Sequence, residues 1–295
     1  MKYKLICNGD SWVFGCEIVD PLLVAKHPPE LYVGEYDFTE ENIDYRTERI
    51  WTTYIKEYLD CDTVNLSWPA DDNKTILNRT IDYVTQEYIA PGKSTEELVV
   101  IVGWTSPERN SWWWHDDKMP HNFRIWPHVE FFNNPEQKEF WKIYIKYLWN
   151  PEEYMTRYIM DNLTLQNFCI ANNIKYLTYS SFYQIKQEHV SSWNKDFTEA
   201  IDQMHNTYYP IDDDVSKTRD VKYFDWKKTW NLIKSPNYYM KDQEVCTFNQ
   251  FIQKNLKDPY VGQHPNPEAH RIWAKEIARY LKSNIRYNGK NSNLR

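Results

Sequence analysis

With 295 residues, 41% of them apolar and 26% charged, the chain is long enough to bury a sizeable core as one large domain or two small ones. Its net charge of −7 is mild and spread along the sequence, which excludes a basic footprint for nucleic acid or an anionic membrane. There is no bilayer-length apolar run, no Gly/Ser- or Pro-rich linker and no internal repeat, and five cysteines without paired spacing predict free thiols in a reducing compartment.

The first predicted element is a strand over residues 3–8, Tyr3-Lys4-Leu5-Ile6-Cys7-Asn8. A charged strand in place of an apolar leader predicts a cytoplasmic protein, in its own cell, an infected host or a virion. The strand delivers directly into Gly9-Asp10-Ser11-Trp12. A serine where a strand turns sharply toward a helix stands at a sheet edge, where a distant base can activate its hydroxyl. The same residues also suit an ordinary turn and helix cap. Then follow a helix from Arg49 to Tyr58, a strand over 63–67, a helix from Asn73 to Glu87 and a strand over 97–103. Asp71-Asp72 and Asp212-Asp213-Asp214 read as a helix start and a solvated loop rather than metal sites. A helix from Pro151 to Asn172 and a strand over 174–179 come next, then a region rich in Trp, Tyr, Lys and Asp that predicts a helical lid or side subdomain over about 183–250. Near the end, His264-Pro265-Asn266 forms a loop, and Pro267 opens a helix to about Ile285 with Ala269, Ile272, Trp273 and Ile277 at helical spacing. Alternating strands and helices predict an α/β fold whose parallel sheet is covered on both faces, with ligands outside the carboxyl ends of the strands.

Four blocks lie at those ends: Gly9-Asp10-Ser11; Val64-Asn65-Leu66-Ser67-Trp68-Pro69-Ala70; Val102-Gly103-Trp104-Thr105; and Gly262-Gln263-His264 before the last helix. In order and spacing they resemble the SGNH (GDSL-type) hydrolases, with the chain as a divergent, phage- or virus-like member. The resemblance implies one domain over 1–295, a three-layer α/β/α sandwich with a central parallel sheet in flavodoxin-like strand order. It implies a serine esterase that needs no cofactor and no metal. Ser11 would attack the ester carbonyl and His264 would act as base, since imidazole titrates near neutrality. The oxyanion would be held by the Ser11 and Ala70 backbone N–H groups and by Thr105. Ala70 stands where the family has glycine and supplies the same N–H if the backbone needs no positive φ. Thr105 stands where the family has asparagine and offers a shorter donor. Val261 and Gly262 occupy the positions of the family's orienting acid, so the expected third member is the nearest upstream carboxylate, Asp258. The alternative is a Ser–His dyad oriented by a main-chain carbonyl.

Aromatic residues make up 17% of the chain against only seven glycines. The Trp-rich insertion over about 106–134 follows the third block and so overhangs the expected site. Indole faces suit the C–H surfaces of sugar rings, which points to a glycan ester, an O-acetyl group in particular. Trp12, Asn73, Trp104, Arg109, Trp112 and Trp113 are the expected substrate-binding residues. His115, His121 and His128 with Asp116 and Asp117 match no zinc spacing. The competing expectation is a catalytically weak or inactive binding or virion-associated protein that recognises glycans through exposed aromatics.

Overall fold

Short β-branched runs separated by amphipathic helices dictate the architecture of the computed structural model, which describes residues 2–28, 33–113, 120–123, 139–140, 143, 151–182, 184–185 and 226–285. Strands β1 (Tyr3–Asn8), β2 (Cys61–Asn65), β3 (Leu98–Trp104) and β6 (Lys175–Ser180) pair in parallel in the order β2-β1-β3-β6. Leu5 lies opposite Thr63 and Val99, and Ile101 opposite Leu177, so the carboxyl ends come out level. Two antiparallel hairpins accompany the sheet: β4 (Asn110–Trp113) with β5 (Pro120–Phe123), and β7 (Tyr260–Val261) with β8 (His264–Pro265).

Alternation along the strands divides the core in two. Leu5, Cys7, Val99, Ile101, Leu177 and Tyr179 face α4 (Trp51–Tyr54) and the last helix, α9 (Pro267–Asn284), which contributes Trp273, Ile277 and Leu281. Ile6, Val100, Val102, Trp104 and Tyr176 face α5 (Asn73–Val84) and α6 (Pro151–Ala171), which contribute Ile76, Leu77, Tyr158 and Ile159. All seven residues of β3 are buried, as a central parallel strand covered on both faces requires. The result is the expected three-layer α/β/α sandwich around a parallel sheet of order β2-β1-β3-β6.

The side region is partly body. From residue 226 the chain forms α7 (Trp226–Trp230), lays Tyr238 and Tyr239 along β6 through 2.8 Å bonds to the Thr178 backbone, and continues into α8 (Phe248–Asn255). Tyr238 and Tyr239 are 2% and 1% exposed, so this part is sheet edge and core rather than lid. The expected lid residues over 186–225, and His115 and His128 with Asp116 and Asp117, lie outside the described residues. All five cysteines are free and buried, and among the described residues no helix is long and apolar enough to cross a membrane.

Candidate active site

The carboxyl ends of β1, β2 and β3 converge on the Gly9-Asp10-Ser11 turn. A Cβ on Gly9 would lie 2.3 Å from Val13 Cγ2 and 2.9 Å from the Gly103 carbonyl, so only glycine lets β1 turn this tightly against β3. Asp10 caps the one-turn helix α1 (Ser11–Phe14), its Oδ1 accepting from the Trp12 N–H at 3.0 Å. Ser11 follows at 8% exposure. Its hydroxyl makes no hydrogen bond among the described residues, and neither the Ser11 N–H nor the Ala70 N–H is engaged by another described group.

His264 begins β8, held beside α1 by the hairpin that Gly262 and Gln263 turn. The carboxylate facing it comes from the other end of the chain. Glu17 Oε2 lies 2.9 Å from His264 Nδ1 as an ion-pair contact, out of line for a straight hydrogen bond, and accepts the Gln263 backbone N–H at 2.8 Å. Glu17 is 3% and His264 16% exposed at the side chain. The fit is close, since a Cβ on Gly262 would lie 2.2 Å from Glu17 Oε2, and Gly262 itself has φ +55°. Glu17 has φ 65°, and its N–H donates to Asp37 Oδ1 at 2.7 Å. Burial pushes the Asp37 carboxyl above its ordinary value. Glu17 and Ala70 are two of the non-glycine residues with positive φ, and backbone strain gathers at sites that need unusual geometry.

The expected third acid is corrected by this arrangement. Asp258 is exposed, and its contribution is a backbone carbonyl that accepts from Asn266 Nδ2 at 2.7 Å. No sequence motif marks Glu17; the sole trace is a glycine where the family's acid would stand, because Glu17 already fills that space.

The oxyanion positions differ as well. Ala70 does adopt a positive φ, 65°, so alanine occupies glycine backbone space while keeping its N–H. The Thr105 hydroxyl donates to Asp10 Oδ2 at 2.6 Å and is fully buried, so its only proton points into the turn and not toward an oxyanion. Asn73 clamps the loop after β3, its Oδ1 accepting from the Thr105 N–H at 2.9 Å and its Nδ2 donating to the Thr105 and Ser106 carbonyls at 3.3 Å. Arg109 donates to Asp10 Oδ2 at 3.4 Å and to the Asp71 carbonyl at 3.3 Å. Asn73 and Arg109 therefore brace the turn and the loop behind it. Trp12 and Trp104 are core residues at 6% and 0% exposure. Trp12 packs on Phe182, Phe248 and Tyr260, and Trp104 on Tyr158. Trp112 and Trp113 pair along β4 with His121 and Pro120 of β5; their side chains lie outside what is described.

Fold and site together define a doubly covered parallel α/β protein with a serine at the first strand end and a histidine–carboxylate pair beside it. Solved structures similar to this chain include TesA, at 10% identity and a TM-score of 0.39 over 95% of this chain and 98% of that one. The psychrotrophic esterase EstA from Pseudoalteromonas sp., inhibited by monoethylphosphonate, gives 11% identity and a TM-score of 0.39 over 95% and 97%. A carbohydrate esterase family 2 enzyme with a carbohydrate binding domain from Corynascus thermopiles gives 9% identity and a TM-score of 0.41 over 95% and 65%. Likeness at that distance carries nothing about activity. No curated protein matches the sequence. Residues 35–202 match a family described as a family of unknown function (DUF6071); this is more than half of the chain, and the protein belongs to that family. The matched span holds Ala70 and Thr105 but not Ser11, Glu17 or His264.

Proposed function

We propose that the protein is a serine ester hydrolase that removes a small acyl group, acetyl foremost, from a carbohydrate hydroxyl. The observation that carries this reading is the buried Glu17 carboxylate 2.9 Å from His264 Nδ1, beside a helix that begins with an uncommitted serine. A carboxylate on Nδ1 directs that nitrogen's proton toward itself and leaves Nε2 as the base. His264 Nε2 takes the Ser11 proton as Oγ adds to the ester carbonyl, then returns it to the departing sugar oxygen. Water, deprotonated by the same nitrogen, adds to the acyl-serine and releases the carboxylic acid. The Ser11 and Ala70 N–H groups stabilise the oxyanion in both steps. Asp10, held by Trp12, Thr105 and Arg109, keeps the Ser11 turn in place. Serine and histidine need not be hydrogen-bonded at rest, since such contacts are often long until substrate is bound.

A second reading, glycan binding without turnover, draws on the Thr105 hydroxyl. Its commitment to Asp10 leaves two backbone donors where the resembling family has three, and one missing donor lowers the rate by about 10²–10³-fold. Intact-mass analysis after exposure to a small fluorophosphonate separates the two. A single adduct on the parent chain, absent from Ser11→Ala and strongly slowed in His264→Ala, is the expected result. A folded parent chain that takes no adduct would leave the binding reading.

A further inference from the structure

Beside Ser11 lies an aromatic cluster that the proposed chemistry does not use. Phe14, at the end of α1, packs against Phe38 at 5.7 Å and Trp68 at 5.9 Å between ring centroids, and Phe38 and Trp68 are 5.3 Å apart. Phe38 is 55% and Trp68 43% exposed. Isolated exposed apolar residues need no explanation, but two large rings held against each other at a site's edge form a surface. The cluster is braced: the Arg46 guanidinium lies 3.9 Å from the Phe14 ring centroid and donates to the Asp37 carbonyl. The Trp68 N–H donates to the Gly9 carbonyl at 3.2 Å, which ties this loop to the turn that presents Ser11. Trp68 precedes Ala70 by two residues, at most about 7 Å of chain, so one short loop carries both a ring of the cluster and the proposed oxyanion donor.

Next to the rings a cleft of about 450 Å³ opens between β2 and α4, with Thr53, Thr63, Asn65 and Ser67 among its walls. The walls combine threonine hydroxyls, the Asn65–Ser67 pair and the cations Arg46 and Lys56 with the apolar faces of Phe14, Ile50 and Leu66. An acyl chain in such a cleft would strip water from these polar groups and return no hydrogen bond. A pyranose sets its C–H face on the rings and its hydroxyls on the wall. We infer that Phe38 and Trp68, with the Thr- and Asn-lined cleft behind them, are the subsite for the glycan portion of the ester. The inference rests on the esterase reading and moves the sugar platform from Trp112 and Trp113 to the loop after β2.

The test uses the full chain, with folding of each variant checked by thermal unfolding. Parent, Phe38→Ala, Trp68→Ala and Trp68→Phe are compared on O-acetylated pyranose oligosaccharides and on 4-nitrophenyl acetate. For both alanine variants the ratio of KM on the oligosaccharides to KM on the small ester rises at least tenfold, and Trp68→Phe restores most of it. A ratio that stays at the parent value in folded variants overturns the subsite while leaving the esterase standing. If the parent takes no fluorophosphonate adduct, the esterase reading fails separately, and binding to an array of deacetylated pyranose oligosaccharides decides the subsite. Binding lost in Trp68→Ala supports it, and no binding by the parent overturns it.

Discussion

Glu17→Gln is the sharpest test at the scale of single residues. Glutamine fills the space of Glu17 and can still accept the Gln263 N–H, but it removes the charge that holds the His264 proton on Nδ1. The expected outcome is a fall in kcat of about 10³–10⁴-fold with KM close to the parent, by analogy with serine–histidine–carboxylate sites in general. Unchanged turnover would remove Glu17 from the mechanism. Gly262→Ala reaches the same point from outside, because its Cβ would meet the carboxylate at 2.2 Å. Of the residues proposed for the site, Ser11 and His264 were singled out by their neighbours in the sequence: a strand before the serine, a proline-opened helix after the histidine. Glu17 was not, because nothing local to position 17 distinguishes a carboxylate aimed at a residue near the other end of the chain.

Among the elements, the loops after β2 and β3 set the geometry of the site. Ala70 holds φ 65° without being glycine, a conformation that costs an alanine about 1 kcal/mol more than a glycine. Ala70→Gly is therefore expected to raise stability by about 1 kcal/mol, read as a higher urea midpoint at unchanged slope. A drop would mean that glycine's freedom in the unfolded chain outweighs the strain. The parallel strands were legible to within a residue or two, most plainly β3, whose residues Leu98 to Val102 form a continuous apolar run. Helix ends were less so: the helix expected to reach Glu87 ends at Val84 and continues as a wider turn over Thr85–Ile89. The tryptophans misled for a definite reason. Trp104 directly follows Gly103 at the end of β3, and an aromatic residue there reads the same whether it faces a ligand or the core; the alternation from Val100 through Val102 settles it inward.

At the scale of the whole molecule, two buried groups make stability depend on pH in opposite directions. Burial, with a smaller effect of nearby His264, lowers His270 from 6.5 to about 3, its Nδ1 accepting the Trp51 N–H at 3.2 Å. Below pH 6.5 the unfolded chain takes a proton that folded His270 refuses, so stability falls by about 2 kcal/mol between pH 7.5 and pH 5. Asp161 is pushed up from 3.8 to about 7 by burial and then by Asp72. Above pH 4 the unfolded chain gives up a proton that folded Asp161 keeps, so stability falls as pH rises toward 7. In the parent the two trends offset each other. Asp161→Asn removes the second, and the variant is expected to be more stable than the parent at pH 8 and to lose about 2 kcal/mol between pH 7.5 and pH 5. A variant profile as flat as the parent's would show that His270 is not the opposing group. His270 lies in the core and Asp161 at its margin; that a histidine and an aspartate would be shielded there could not be read from a sequence in which both look like helix-surface residues.

The contact between Glu17 and the β7–β8 hairpin joins residues 246 positions apart, as measured by the Gln263 N–H bond. During synthesis the serine and its carboxylate leave the ribosome early, whereas the histidine leaves only when nearly all of the described chain has been made. On the proposed mechanism, a nascent chain, or one cleaved short of residue 264, would hold the nucleophile without its base. Activity, on this reading, requires that these two distant segments be folded against each other.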